Sequence, residues 1–365
     1  MNFDMWQFDD LLNPVAEKFR VSLGEGNTPL VKSKAIGPAM GLKNLYFKME
    51  NLNPSGSYKD RFASAFISHM KSRGQNLCIA TSSGNTGAAL SAYSAAAGIQ
   101  CVLIIVDGAP VPKIRQMQLY GATTIMIEGF GKNTEVTKSV FDQLNELTTS
   151  LGVPLPVSAF LYCPEGMQGV QTIVYELMQE IDVDHVFSPA GGGGLTLALA
   201  RGANIYAEKN SLSKKPSVHC VQPEGNDTIA SSLRNGSQHA AVIPGSTTRI
   251  SGLQVPNILD GNEVIRECRA LGGSGYAVTD KAVFELQKRL AQQEGIFSEP
   301  AGAVALAGLA AAVELNEVKP EDNIVCLITG SGFKDMQSVE TYFGLPEIET
   351  ISANKMKTAI ENIQS

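Results

Sequence analysis

The sequence lacks the features that mark several large classes of protein. Its six cysteines (Cys78, Cys101, Cys163, Cys220, Cys268 and Cys326) stand singly, with no CxxC pair. In a chain of 365 residues they read as buried small hydrophobes, not a disulfide frame. The four histidines show no HxH or HxxxH spacing, so no zinc site is expected. A net charge of -7 and a pI near 5.3 leave no basic face for nucleic acid or an acidic membrane. The longest apolar run, Ala301–Val313, is Ala/Gly-rich and too short to span a bilayer, which points to a buried helix. The acidic start, Met1–Asp10, has no basic region of the kind that opens a secretory signal, so the cytoplasm is the expected location. The GxGxxG fingerprint is absent, which disfavours NAD, and no short repeat or low-complexity stretch occurs.

What is present is an ordinary soluble composition, 44% hydrophobic and 18% charged. The length allows one large or two ordinary domains. Strand-like and helix-like segments alternate from about residue 45 to 330. Expected strands are Asn76–Thr81, Gln100–Val106, Thr123–Ile127, His185–Ser188, Ser217–Gln222 and Asn323–Thr329. Expected helices are Gly87–Ala97, Lys113–Tyr120, Thr134–Thr149, Gly169–Glu180, Leu195–Lys209, Asp280–Glu294 and Ala301–Leu315. Continuous apolar runs such as Gln100–Val106 suit strands buried on both faces. The alternation therefore implies an α/β fold with mostly parallel sheets covered on both sides. Breaks fall at Gly152–Pro156, Lys214–Pro216 and Ile243–Ser246, the first being the best domain boundary. The tail, Asn354–Ser365, reads as solvated helix or fray.

Four segments carry chemistry. In Asn53-Pro-Ser-Gly-Ser-Tyr-Lys59-Asp-Arg61, turn residues lead into a helix that begins near Lys59. A lysine at a helix N-terminus faces the positive end of the dipole, which lowers its pKa and favours a neutral nucleophile. The competing reading is a solvated Lys-Asp-Arg trio. Thr81-Ser-Ser-Gly-Asn-Thr-Gly87 follows a strand and precedes an Ala-rich helix; its hydroxyls, amide and glycines can form an anion nest, or merely a capped polar loop. It is no P-loop, since no GKS or GKT follows. Gly191-Gly-Gly-Gly194 again lies between strand and helix, where the bare backbone can close on a phosphate, or is merely a flexible loop. Ile328-Thr-Gly-Ser-Gly-Phe-Lys-Asp335 is a further strand-end loop rich in hydroxyl and glycine, or a plain strand terminator. Together they supply a lysine, a hydroxyl/amide loop, a phosphate cup and a neutral hydroxyl. That set fits a cofactor with an aldehyde, a phenolic oxygen, a phosphate and a ring nitrogen.

These motifs resemble those of fold type II pyridoxal 5'-phosphate enzymes, the tryptophan synthase β-like family, and most closely its threonine synthase branch. The resemblance runs from Glu25-Gly-Asn-Thr-Pro-Leu30 to Asp335 and includes Thr247–Gly252 and Glu294–Ala303. It implies two three-layer α/β domains, residues 1–51 with 157–365 and a smaller mobile unit 52–156, with the cofactor between them. It implies that Lys59 is the Schiff-base lysine and proton shuttle, and that Asn85 binds the 3'-oxygen. Backbone N–H groups of Gly191, Gly192, Gly193, Gly194 and Leu195 would hold the phosphate, and Thr329 would meet the pyridine nitrogen. Ser82, Ser83 and Thr86 would grip the substrate carboxylate. A homodimer acting on a small amino acid is the family expectation.

The resemblance weakens where the substrate is chosen. The family's Asn-Pro-x-Arg-x-Glu-Gly-Gln-Lys-Thr reads here Cys163-Pro-Glu-Gly-Met-Gln-Gly-Val-Gln-Thr172, with Gly166 for the arginine and Gln171 for the lysine. Glycine cannot replace a bidentate phosphate clamp, and Glu165 would repel a dianion. Lys113, Arg115, Arg249 and Lys334 are candidate substitutes, with ordinary surface charge as the expectation for each. The leading reaction is conversion of O-phospho-L-homoserine and water to threonine and phosphate. The alternatives are a serine/threonine dehydratase, a β-replacement synthase on an activated serine (cysteate-synthase-like or pathway-specific), and a silent binding or regulatory homologue.

Overall fold

The computed structural model describes residues 4–109, 111–345 and 347–364. The strands are β1 (Leu30–Lys32), β2 (Asn44–Lys48), β3 (Leu77–Thr81), β4 (Gln100–Ile105), β5 (Thr123–Met126), β6 (His185–Pro189), β7 (Ser217–Pro223), β8 (Gly275–Val278) and β9 (Asn323–Leu327). They form a six-stranded sheet of order β1-β2-β9-β6-β7-β8 and a three-stranded sheet of order β3-β4-β5. Among the strand pairs of the described residues, β1–β2 alone is antiparallel; the registers β2–β9, β9–β6, β6–β7, β7–β8, β3–β4 and β4–β5 are parallel. The smaller sheet is an insertion in the chain between two strands of the larger one.

Parallel neighbours need long crossovers, and helices supply most of them. In chain order these are α1 (Ile36–Ala39), α2 (Lys59–Ser72), α3 (Asn85–Ala97), α4 (Val111–Leu119), α5 (Thr134–Leu151), α6 (Pro164–Glu180), α7 (Gly194–Lys209), α8 (Ala230–Arg234), α9 (Gly261–Ala270), α10 (Asp280–Arg289), α11 (Pro300–Glu314), α12 (Met336–Phe343) and α13 (Met356–Gln364). Successive strand residues face opposite sides, and here both sides are buried. In β4, Leu103 and Ile105 join one core while Ile104 joins another with Val140 and Leu144 of α5. In β9, Val325 and Leu327 join one core, Ile324 and Cys326 a second with α11. The apolar run at Ala301–Val313 is the buried helix α11, and among the described residues no helix is long and apolar enough to cross a membrane.

Among the expected helices, α6 and the Asp280–Glu294 segment depart from the sequence reading for physical reasons. α6 starts at Pro164, not at Gly169. Gly166 and Gly169 are packing glycines: a Cβ at Gly169 would lie 2.2 Å from Arg61 O, so α6 and α2 touch closely only because neither position carries a side chain. The expected helix Asp280–Glu294 is α-helical to Arg289 and ends in one π turn, Leu290–Glu294, before Gly295.

Candidate active site

A cavity of about 350 Å³ lies at the C-terminal ends of β6 and β9, bounded on its other side by the N-terminus of α3 and by Lys113 of α4. Lys59, Ser82, Asn85, Thr86, Gly191–Leu195 and Thr329 all line it. Ser83 stands apart: its hydroxyl accepts the Val106 N–H at 3.0 Å, and it does not line the cavity.

Lys59 is the first residue of α2. Its Nζ donates to Tyr58 Oη at 2.5 Å and to Ser158 Oγ at 2.9 Å. Burial pushes its ammonium down to about 7, against the charge of Glu299, which favours the protonated form. Neighbours hold it rigidly. The Tyr58 N–H donates to Thr329 O at 3.1 Å, tying the lysine to the loop after β9. Asp60 accepts both the backbone N–H and the hydroxyl of Ser55, fixing the turn that enters the helix. Arg61 is fully buried, with bonds of 2.6–2.9 Å to the carboxylates of Glu50 and Glu176. The trio is thus no solvated surface cluster: Asp60 and Arg61 are anchors of the helix that carries Lys59.

The glycine cup follows β6 and opens α7. Gly193 has φ +95°, and a Cβ there would meet Val264 Cγ2 at 2.8 Å. At Gly192 it would meet Leu259 Cδ1 at 2.7 Å, and at Gly194, Ser158 O at 2.8 Å. The first return bond of α7 is Leu197 N–H to Gly193 O, and no side chain caps the helix. The N–H groups before Leu197 are therefore first-turn donors for an anion. Asp260 fastens this cup to the Ser158 loop: its carboxylate accepts the N–H groups of Phe160 and Leu161 at 2.8 and 3.0 Å, and its own N–H donates to Gly192 O at 3.2 Å.

At α3, Ser82 Oγ accepts the Gly87 N–H at 2.9 Å, and Thr86 Oγ1 lies 3.3 Å from Ser158 Oγ. Asn85 Nδ2 donates to Glu299 Oε1 at 2.6 Å. Glu299, Ser158 and Tyr58 were not singled out by sequence. Glu299 and Ser158 are 214 and 99 residues from their polar partners Asn85 and Lys59, and no spacing could reveal them. Glu299 lies within the segment Glu294–Ala303, and Tyr58 immediately precedes the lysine.

The substrate-side expectations need correction. Gly166 and Gln171 do not line the cavity. A Cβ at Gly166 would lie 2.5 Å from Phe62 Cε2, and Gln171 is buried beside Tyr175 and Gly202. Glu165 pairs with Arg73 rather than facing a substrate. Of the four candidate clamps, Arg115 and Arg249 are exposed, and Lys334 donates to Gln116 outside the cavity. Lys113 alone lines it, buried, with Nζ donating to Ser251 Oγ at 2.9 Å. It is not the surface charge expected.

A neutralisable lysine, a side-chain-free cradle at a helix N-terminus and the buried Thr329 beside them fit an aldehyde, a phosphate and a ring nitrogen. Comparison with known proteins agrees. Residues 21–330 match the family described as pyridoxal-phosphate dependent enzyme. The threonine synthase of Methanocaldococcus jannaschii is 30% identical over 337 residues, covering 91% of this chain and 80% of that protein. The threonine synthase of Bacillus sp. (strain ULM1) is 31% identical over 327 residues, covering 88% and 87%. Among solved structures, the processed form of threonine deaminase isoform 2 from Solanum lycopersicum aligns with a TM-score of 0.73 at 22% identity, covering 94% of this chain and 89% of that one, a likeness of fold. The chain belongs to the pyridoxal-phosphate-dependent enzyme family, in its fold type II architecture.

Proposed function

We propose that this enzyme carries out elimination and replacement on a small L-amino acid, with O-phospho-L-homoserine and water giving threonine and phosphate as the leading reaction. The observation that carries the chemistry is Lys59, placed at a helix start, brought near neutrality by burial and held by Tyr58 and Ser158 at the cavity floor. The threonine synthase relatives support the substrate. When bound, the cofactor supplies an aldehyde that captures amines and a ring that accepts electrons from the substrate's α carbon.

In this reading the N–H groups of the Gly191–Leu195 cradle hold the phosphate, Asn85 the 3'-oxygen, and Thr329 the ring nitrogen. A hydroxyl at that nitrogen cannot keep it protonated as a carboxylate would, which suits elimination and replacement better than transamination. The N-terminus of α3, with Ser82 and Thr86, receives the substrate carboxylate. Lys59 in its neutral form removes the α proton, and Ser158 and Tyr58 fix its direction. The unit 52–156 moves to close the site over the substrate.

One observation favours a second reading, replacement at an activated serine. Among the described residues lining the cavity, Lys113 is the one cation besides Lys59, and it faces Glu299 at 3.9 Å. Its charge is balanced, so it offers little net attraction to a phosphate dianion. The test is a panel of O-phospho-L-homoserine, L-serine, L-threonine and O-acetyl-L-serine, read for phosphate, ammonia and 2-oxo acid. Phosphate with stoichiometric threonine supports the leading reaction. A 2-oxo acid from threonine or serine, or turnover only of an activated serine with an added nucleophile, overturns it.

A further inference from the structure

We propose that Glu299 and Lys113 together hold the incoming water, with Glu299 as the base that takes its proton; this rests on the synthase reading above, in which water adds to the substrate's β carbon.

Glu299 is 2% exposed and lines the cavity. Its Oε1 accepts from Asn85, but its Oε2, also buried, has no hydrogen-bond partner among the described residues. A buried acceptor left unpaired costs about 1–3 kcal/mol, so an occupant that brings a donor hydrogen is favoured there. The amino-acid substrate offers none: its amine is engaged by the cofactor, and its carboxylate would be repelled. The Lys113 side chain is 8% exposed; its Nζ spends one hydrogen on Ser251 and lies 3.9 Å from Glu299 Oε2. An oxygen about 2.8 Å from both atoms subtends about 90° between them, an angle open to one water that accepts from the ammonium and donates to the carboxylate. A phosphate oxygen without a hydrogen would satisfy Lys113 and be repelled by Glu299.

The step balances. The water oxygen bonds to the β carbon of the substrate's carbon–carbon double bond. One of its hydrogens stays as the product hydroxyl, and the other passes to Glu299 Oε2. The electron pair of the double bond forms the new bond at the α carbon with the proton that Lys59 delivers. Lys59 is then neutral, as it began, and Glu299 passes the water's proton to the phosphate product, whose leaving oxygen takes one up.

The experiment compares wild-type, E299Q and K113M holoenzymes on O-phospho-L-homoserine, with phosphate, threonine and 2-oxo acid measured together. Cofactor affinity and visible absorbance are measured alongside. In E299Q we expect threonine to fall about 100-fold or more, phosphate release to fall less than about tenfold, and 2-oxo acid to become the main product. The carboxylate-retaining E299D should recover part of the threonine, and K113M should shift the ratio in the same direction. An unaltered product ratio in E299Q overturns the inference. So does a parallel loss of phosphate and threonine with a changed absorbance, which would make Glu299 a positioning residue acting through Asn85. If the wild type releases no phosphate, the substrate assignment has failed separately, and the ratio of addition product to 2-oxo acid is read on whichever panel substrate turns over. Formation of 2-oxo acid alone from every substrate overturns both. If E299Q does not fold, the K113M ratio decides.

Discussion

At the scale of single residues, Lys59 carries the account. In the proposed function its neutral amine is the nucleophile, so capture of the cofactor by the cofactor-free protein should speed up as pH rises, with a midpoint near the value of about 7 to which burial lowers Lys59. Glu299 raises that value, so in E299Q the midpoint should move down. Stopped-flow absorbance across pH reads both, and a midpoint near that of a solvated lysine would contradict the burial argument. What was legible at this scale follows from position. Lys59, Asn85, Gly191–Gly194 and Thr329 each sit where a strand ends or a helix starts, so turn chemistry printed them into the sequence. Ser158, Glu299 and Lys113 reach the cavity through tertiary packing across long stretches of chain. Lys113 read as a surface charge because nothing nearby in sequence shows Ser251 or Glu299 beside it.

At the scale of elements, two junctions fix the site. The first is the α2–α6 interface, where Arg61 meets Glu50 and Glu176, and Lys48 meets Glu176 and Glu180 at 2.9 Å. Replacing Arg61 by methionine leaves the buried Glu50 without a cation and Glu176 with Lys48 alone, and should cost about 3–5 kcal/mol, read as a lowered denaturant midpoint with an unaltered slope. Burial raises the Glu176 carboxyl, but the charges of Arg61 and Lys48 override it and hold it at about 2 against an ordinary 4.5. As pH falls the unfolded chain takes up that proton first. The stability is therefore complete above 4.5 and is lost as pH drops toward about 2, so acid unfolding should begin at higher pH in R61M. The second junction is the glycine cup. Gly193→Ala places a side chain at φ +95° and against Val264, and should weaken cofactor binding about tenfold while leaving far-ultraviolet circular dichroism in place. The elements that escaped the sequence reading are telling. β1 is three residues at a sheet edge, β8 is four residues led by glycine, and β2 hides its buried Lys48 in what looks like a polar segment. Their pattern is set by neighbours in the sheet, whereas β4, β6, β7 and β9 are apolar enough to read alone.

At the scale of the whole molecule, the cavity lies where the inserted three-stranded sheet with its helices faces the six-stranded sheet. From α4, Lys113 donates to Ser251 at 2.9 Å in the cavity, and outside it Gln116 accepts from Lys334 at 3.0 Å. A cofactor bound here ties both sides together. Removing it should lower the melting temperature, and restoring it at about 100 times its dissociation constant should return about 2.7 kcal/mol. Hydrogen exchange on removal should quicken in α3, α4 and the Gly191–Leu195 loop more than in β6 and β9; uniform quickening would contradict a hinge between the units. The alternation of strands and helices made the parallel architecture legible, and the Gly152–Pro156 break falls directly after α5. The approach of Lys113 to Ser251 was not legible, since it depends on how the two sheets and their helices pack.

The central claim is that Lys59 is the cofactor's covalent partner, and the cavity supplies its own rival in Lys113. Borohydride reduction of the holoenzyme, followed by proteolysis and mass spectrometry, fixes the cofactor on whichever lysine holds it. The pyridoxyl group is expected on the peptide containing Lys59 and to be absent from K59A; its appearance on Lys113, or on neither, would contradict the account.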